Sequence, residues 1–424
     1  MITEQRIRTG RAVGAGRPSL RRLGAAVAAA AVASGIAACG GGSTVNTSSS
    51  AASAGSASGS GTSTAAVTVG SRHDWVMGSI IDLTGSDAAG GAAEQKGLEY
   101  LLRQVNGSGG VGGRKVVVKY CDAMSTPGGG SQCAQQLAGV NSHVVLAQAI
   151  DPPTRAALPY LTNDLVVAVD PVLLPKAGTS VFQSTTPPLD LTEALATTVR
   201  AAGMHTVGVL YTTDTSGTAQ LAAMREAASR TGLTVVSQAQ DPSSTDVTPQ
   251  LVKLRSAGAQ VIFLASVGTN TAAAVNSYRT LGMSQPVVVG AAAVTDGFLH
   301  SLSSIPAHLY GVSHLLLSSS GIPPQTARVF RTYVSQFKAQ EGEPPDTQTT
   351  SAVYDACVAL AALRAAGPST QAMVAYLKAK PVSCLGSSLR FDVPRLNVPS
   401  GERAQLVQAG RSAADGWVAV SGRF

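Results

Sequence analysis

Residues 207–265 read VGVLYTTDTSGTAQLAAMREAASRTGLTVVSQAQDPSSTDVTPQLVKLRSAGAQVIFLA. Three short runs rich in β-branched residues, at 207–211, 233–237 and 261–265, are separated by two segments of helical period. In the first segment Leu221, Met224 and Ala228 recur on one face, with Gln220, Arg225 and Arg230 elsewhere, and Gly232 stops the helix. The second opens at Asp246 as its N-cap, turns Val247, Leu251 and Leu254 inward, and closes at Gly258. Continuous apolar strands joined by helices of this length predict a parallel sheet covered on both faces.

The same rhythm extends in both directions. Strands are predicted at 76–83, 115–120, 144–147, 165–169 and 287–290, with helices near 92–105, 132–138 and 154–161. Two such blocks, split near Pro187-Pro188, give an α/β protein of two doubly wound parallel-sheet lobes. Ligands of open α/β sheets sit beyond the carboxyl ends of the strands. The loops at 84–91, 148–154, 170–175, 212–217, 266–270 and 291–295 therefore face any cleft, and Gln148, Asp151, Asp170, Asp214, Ser266 and Asn270 are the candidate ligand contacts.

The net charge of +7 is unevenly placed. Residues 1–39 hold six arginines and one acid, so the remainder carries 25 basic and 23 acidic residues, and the basic balance gives no support to nucleic-acid binding. Those arginines precede a short alanine-rich apolar run and the sequence Ile36-Ala37-Ala38-Cys39, the layout of a secretory signal rather than of a membrane span. Residues 40–73 are mostly Gly, Ser, Ala and Thr, too polar to offset their ordering entropy, and read as a tether. Four further cysteines, Cys121, Cys133, Cys357 and Cys384, suit an exported chain with disulfides. Of three possible pairings, Cys121–Cys133 and Cys357–Cys384 join the cysteines nearest in sequence. No CxxC spacing or neighbouring histidine supports zinc, and no metal or other cofactor is expected.

Catalytic patterns do not emerge. GxSxG, HExxH and GxxxxGK[ST] are missing, and His143, His205 and His308 border apolar runs, where a structural role is the simpler reading. The glycines at 107–113 follow a helix and precede a strand, the reverse of a phosphate-binding loop, and so form a turn. Asp82, Asp151, Asp170 and Asp214 fall at strand ends, but nothing sets a nucleophile beside them, so no enzyme is expected. Trp75 and Trp417 are the only tryptophans, which counts against a sugar platform.

Residues 76–97, VMGSIIDLTGSDAAGGAAEQKG, and the turn Val105-Asn106-Gly107-Ser108-Gly109-Gly110-Val111-Gly112-Gly113-Arg114 resemble the type I periplasmic binding proteins for branched-chain amino acids. Further similarity lies in 246–265 and in 330–345 leading to Ala352-Val353-Tyr354-Asp355-Ala356. The Ile-Ala-Ala-Cys ending resembles a bacterial lipobox, which implies a lipidated Cys39. The family resemblance implies two lobes joined by three crossovers, with 74–187 and 315–384 in lobe one and 188–314 and 385–424 in lobe two. It implies a monomeric, lipid-anchored extracytoplasmic protein that hands a small solute to an ABC permease in the cytoplasmic membrane; the alternative is an envelope sensor of the same fold. This chain departs from the family at the ligand. Gly90 stands where an aromatic is common, Asp151 where a small hydroxyl is usual, and Asp170-Pro171-Val172-Leu173-Leu174 replaces an Ala–Thr pair. The loop 213–217 has no aromatic, and the acid that holds a ligand's ammonium is absent from 291–293. Weak or no binding of leucine, isoleucine and valine is expected, with a neutral or cationic solute instead.

Overall fold

The computed structural model describes residues 73–314, 324–400, 404–411, 416–420 and 424. The proposed leader with Cys39, and the tether up to residue 72, lie outside the described residues. The first block runs β1 (Trp75–Ile81), α1 (Ala88–Gly107), β2 (Val116–Asp122), α2 (Pro127–Leu137), β3 (Val144–Ala147), α3 (Asp151–Ala157), β4 (Leu165–Ala168) and β5 (Val181–Gln183). The second runs α4 (Pro188–Ala201), β6 (Thr206–Thr212), α5 (Thr215–Thr231), β7 (Thr234–Gln240), α6 (Thr248–Ser256), β8 (Val261–Ala265), α7 (Gly268–Thr280), β9 (Val287–Val289), α8 (Asp296–Ser301) and β10 (Leu309–His314). After it come α9 (Pro324–Glu341), α10 (Thr347–Ala366), α11 (Thr370–Ala379), β11 (Val382–Cys384), β12 (Ser387–Leu389), β13 (Ala404–Ala409) and β14 (Trp417–Ala419).

Lobe one is built on the parallel order β2-β1-β3-β4-β5, and lobe two repeats it as β7-β6-β8-β9-β10. The second sheet is not wholly parallel. β13 runs antiparallel to β10, and β14 antiparallel to β13, so the purely parallel expectation is corrected there. β13 and β14 are consecutive strands, a connection that needs no crossover when the pair is antiparallel, whereas β10 reaches β13 by way of α9–α11 and the β11–β12 hairpin.

Alternation of side chains feeds two cores from each sheet. In β3, Val144 and Leu146 join the core under α1 and α10, while Val145 and Ala147 join the one under α2. In β8, Ile262 and Leu264 meet the α6–α7 layer, and Val261, Phe263 and Ala265 the α4–α5 layer. Every residue of these two strands is buried. Truncating such a leucine to alanine costs about 2–5 kcal/mol.

The helix ends follow local chemistry. Asp214 caps α5 by accepting from the Gly217 N–H at 2.8 Å, and Gly232 ends it at φ +68°. Asp246 lies one residue before the N-cap of α6, which is Val247, yet its carboxylate still accepts from the Thr248 N–H at 2.9 Å. The glycine-rich stretch after α1 is a turn. Gly110 sits there at φ +75°, and a β-carbon on it would come within 1.9 Å of the Arg114 carbonyl oxygen.

Both expected disulfides are present. Cys121–Cys133 ties β2 to α2, and Cys357–Cys384 ties α10 to β11. The second bond bears on a boundary expected at residue 385. Residues beyond it stay with lobe one: Leu389 and Phe391 belong to its core, and Asn397 accepts from the Gln183 N–H through its carbonyl and donates to the Val181 carbonyl through its side chain. The chain rejoins the second sheet only at β13, because the β11–β12 hairpin has its apolar residues on the α10 side.

Candidate functional site

The order β2-β1-β3 places the switch point of lobe one between β1 and β3, and β7-β6-β8 places that of lobe two between β6 and β8. A cavity lies between these ends. It is lined from lobe one by Asp87, Glu94, Gln148, Asp151, Asp170, Gln348 and Ser351, and from lobe two by Leu191, Ser216, Gln220, Phe263, Ser266, Ala291 and Val312, among others. Its volume is about 60 Å³. One water takes roughly 10–15 Å³ by the same measure, so the cavity holds on the order of four to six water-sized groups.

The two walls differ in chemistry. Lobe two offers mainly apolar surface with Thr192, Ser216, Gln220 and Ser266 as its polar groups. Lobe one offers four carboxylates, while no Lys, Arg or His lines the cavity among the described residues. Asp151 is the one acid with a cationic partner: Arg155, one turn on in α3, forks onto it at 2.5 Å from outside the lining. The other three are buried and make no ion pair among the described residues.

Asp87 occupies the N-cap position of α1 but makes no side-chain cap bond. Its carboxylate instead lies against Gly90, where a β-carbon would come within 2.6 Å of Oδ2. The position at which an aromatic was expected is therefore filled by an acid reaching over a glycine. Burial, then the neighbouring Asp82, pushes the Asp87 carboxyl up to about 8. Glu94 lies two turns further along α1. It accepts from the Gln348 amide at 3.1 Å, and its Oε2 has no hydrogen-bond partner among the described residues. Burial, followed by the charges of Asp87 and Asp355, holds its carboxyl well above the usual range. Asp170 accepts from the Val172 N–H at 3.1 Å through Oδ1, and its Oδ2 is likewise without a partner. Burial and then the charge of Asp151 raise it strongly. Gln148 accepts from Ser79 at 2.8 Å and has a buried, unpartnered Nε2 donor.

Of the six contacts expected from the sequence, Gln148, Asp151, Asp170 and Ser266 line the cavity. Asp214 and Asn270 do not. Asp214 is used by the α5 cap and by the Thr212 hydroxyl at 3.0 Å. Asn270 accepts from Gln240 at 3.4 Å on the side of α7. Asp82 is also spent on structure, accepting from the backbone N–H groups of Ser125 and Ile150 and so fixing the loop that carries Asp151. Asp87, Glu94 and Gln348 were not expected. Among the described residues no three His, Cys, Asp or Glu side chains converge as metal ligands.

Comparison with known proteins agrees with this architecture. The family model described as periplasmic binding protein matches residues 75–412. A curated relative, Leu/Ile/Val-binding protein homolog 3 of Brucella melitensis, is 28% identical over 200 residues, 45% of this chain. The match spans about half of that relative's length, 54%. Among solved structures, the branched-chain amino acid transporter substrate binding protein LivJ from Streptococcus pneumoniae, in complex with isoleucine, is 19% identical with a TM-score of 0.67, covering 82% of this chain and 99% of its own. The fatty acid ABC transporter substrate-binding protein from Thermomonospora curvata is 17% identical with a TM-score of 0.69, covering 84% and 93%. At these identities the likeness carries the fold, and the two proteins are described with solutes as different as isoleucine and a fatty acid.

Proposed function

Because the chain belongs to the periplasmic binding protein family, we propose that it captures a small cationic solute between its lobes and delivers it to an ABC permease. The observation that carries this reading is the lining of the cavity, with four carboxylates and no cationic side chain among the described residues. An anion moved into that cavity would meet buried acids and lose its hydration, a cost no interaction there offsets. An ammonium group would supply the partner that Glu94 and Asp170 lack, and hydrogen bonds to a charged group are the stronger kind. Leu191, Phe263 and Val312 cover the apolar body of such a solute.

An acid on each of several loops, rather than one acid opposite a carboxylate-binding loop, separates this site from one built for an α-amino acid. A thermal-shift screen of the full-length protein against primary amines, amides, small acids and branched-chain amino acids tests the reading. Amines should raise the melting temperature through mass action, and the acids and amino acids should not. Stabilisation by acids alone would refute it.

The family is extracytoplasmic, and no helix among the described residues is long and apolar enough to cross a membrane. Lipidation at Cys39, with residues 40–73 as tether, is part of the same proposal and is supported by the Ile36-Ala37-Ala38-Cys39 ending after a basic, alanine-rich leader. Cys39→Ala should abolish labelling by a fatty-acid analogue and release the protein from membranes; a labelled variant would refute the anchor.

A further inference from the structure

We propose that the solute is an α,ω-diamine, with one ammonium held by Glu94 and the other by Asp170. This narrows the cationic reading above and rests on it.

The acids of the cavity form two groups on different elements. Asp87 and Glu94 lie two turns apart on one face of α1, whereas Asp151 opens α3 and Asp170 follows β4. The sheet order separates the segments that carry them. β3 lies between β1 and β4, so the loops that carry Asp87 and Asp170 leave the sheet two strand spacings apart, about 10 Å. A single ammonium cannot bridge that distance with hydrogen bonds of about 2.8 Å. A molecule with an ammonium at each end and a spacer of about three to five carbons can.

Each group also retains an acceptor that the protein leaves without a partner. Oε2 of Glu94 and Oδ2 of Asp170 are buried, on residues only 1% and 6% exposed. Arg155 forks onto Asp151, and its charge is the weakest of the influences on Asp170, too weak to offset burial there. The electrostatic neighbourhoods are separate as well: the acids acting on Glu94 are Asp87, Asp355, Asp82 and Asp346, and the acid acting on Asp170 is Asp151. Between the two ends, Phe263, Leu191 and Val312 of lobe two present the apolar surface that a methylene spacer would cover. A cavity for about four to six water-sized groups suits a diamine of this length and excludes longer polyamines from full enclosure.

Both ends of the diamine would rest on lobe one, with lobe two acting as the cover. The test is calorimetric titration of the full-length protein with 1,4-diaminobutane and with 1-aminobutane, repeated with diamines of three, five and six carbons. The best diamine should bind at least roughly ten-fold more tightly than the monoamine, the worth of one further buried charge-assisted hydrogen bond. Glu94→Gln and Asp170→Asn, both isosteric, should each bring the two amines to within about two-fold of one another. Equal affinities in the unaltered protein, or a diamine advantage that survives both substitutions, would overturn the diamine inference and leave the cationic reading standing. Failure of every amine to bind would overturn both.

Discussion

The carbonyl of Ser86, on the loop after β1, accepts a hydrogen bond from the backbone N–H of Thr269 at 3.2 Å and so ties lobe one to lobe two beside the cavity. The contact depends on the residue before Thr269. Gly268 has φ +57°, and a β-carbon there would come within 2.2 Å of the Ser86 oxygen. Gly268→Ala should therefore hold the lobes apart. The left-handed backbone costs about 1–2 kcal/mol whether or not the lobes touch, and the clash adds to that wherever they do. Solute affinity should fall by about ten-fold or more, with only a small drop in the melting temperature of the ligand-free protein. An unchanged affinity measured by calorimetry would show that solute binding does not depend on this contact.

Asp214→Ala separates a helix cap from a ligand contact. Its carboxylate serves the Gly217 N–H and the Thr212 hydroxyl, so its removal should cost about 1 kcal/mol of stability by denaturant unfolding. Solute affinity should stay within about two-fold. A large loss of affinity at unchanged stability would place Asp214 in the site after all.

The buried acids give stability a definite dependence on pH. The Asp87 carboxyl moves from an ordinary value of 3.8 to about 8 on folding. Between those values the folded chain binds more protons than the unfolded chain, so stability falls as pH rises. The contribution is fully present below the unfolded value and is lost as pH passes through the folded one. Glu94, Asp170 and Asp355 are raised as well and act in the same direction. The melting temperature of the ligand-free protein should fall from about pH 5 to about pH 9, and Asp87→Asn should flatten the fall below about pH 8. Affinity for a cation should run the opposite way and rise over that interval. A melting temperature that climbs towards pH 9 would contradict the buried-acid account.

The disulfides close sequence separations of 12 and 27 residues. Replacing either pair by serine should cost about 2–4 kcal/mol, and the longer loop should cost about 0.7 kcal/mol more on chain-entropy grounds. The Cys357–Cys384 pair also holds the β11–β12 hairpin to α10, so its loss should expose Leu389 and Phe391. Hydrogen exchange confined to the hairpin in the Cys384→Ser protein would bear this out; uniform exchange across the chain would not.

Much of the fold was legible in the sequence because the central strands are buried on both sides. Runs such as Val144-Val145-Leu146-Ala147 and Val261-Ile262-Phe263-Leu264-Ala265 have no polar face to confuse the reading. The strands from β11 to β14 were not legible, being only 3–6 residues long. The site was half legible. Gln148, Asp151, Asp170 and Ser266 sit directly after strands, where the switch-point argument applies. Glu94 sits inside a helix and looks like a surface acid. Its signal was its register: it stands four residues before Leu98, which stands four before Leu102, and all three are buried on one stripe of α1. An acid on the apolar stripe of a helix near a strand end is the pattern that would have found it.

The most direct test of the cationic site compares leucine with 3-methylbutan-1-amine, which is leucine without its carboxylate, by titrating each into the full-length protein in a calorimeter at the same pH. The acids on lobe one predict binding of the amine and weak or no binding of leucine. Leucine binding more tightly than the amine would contradict the account, since it would require the cavity to hold a carboxylate among Asp87, Glu94 and Asp170.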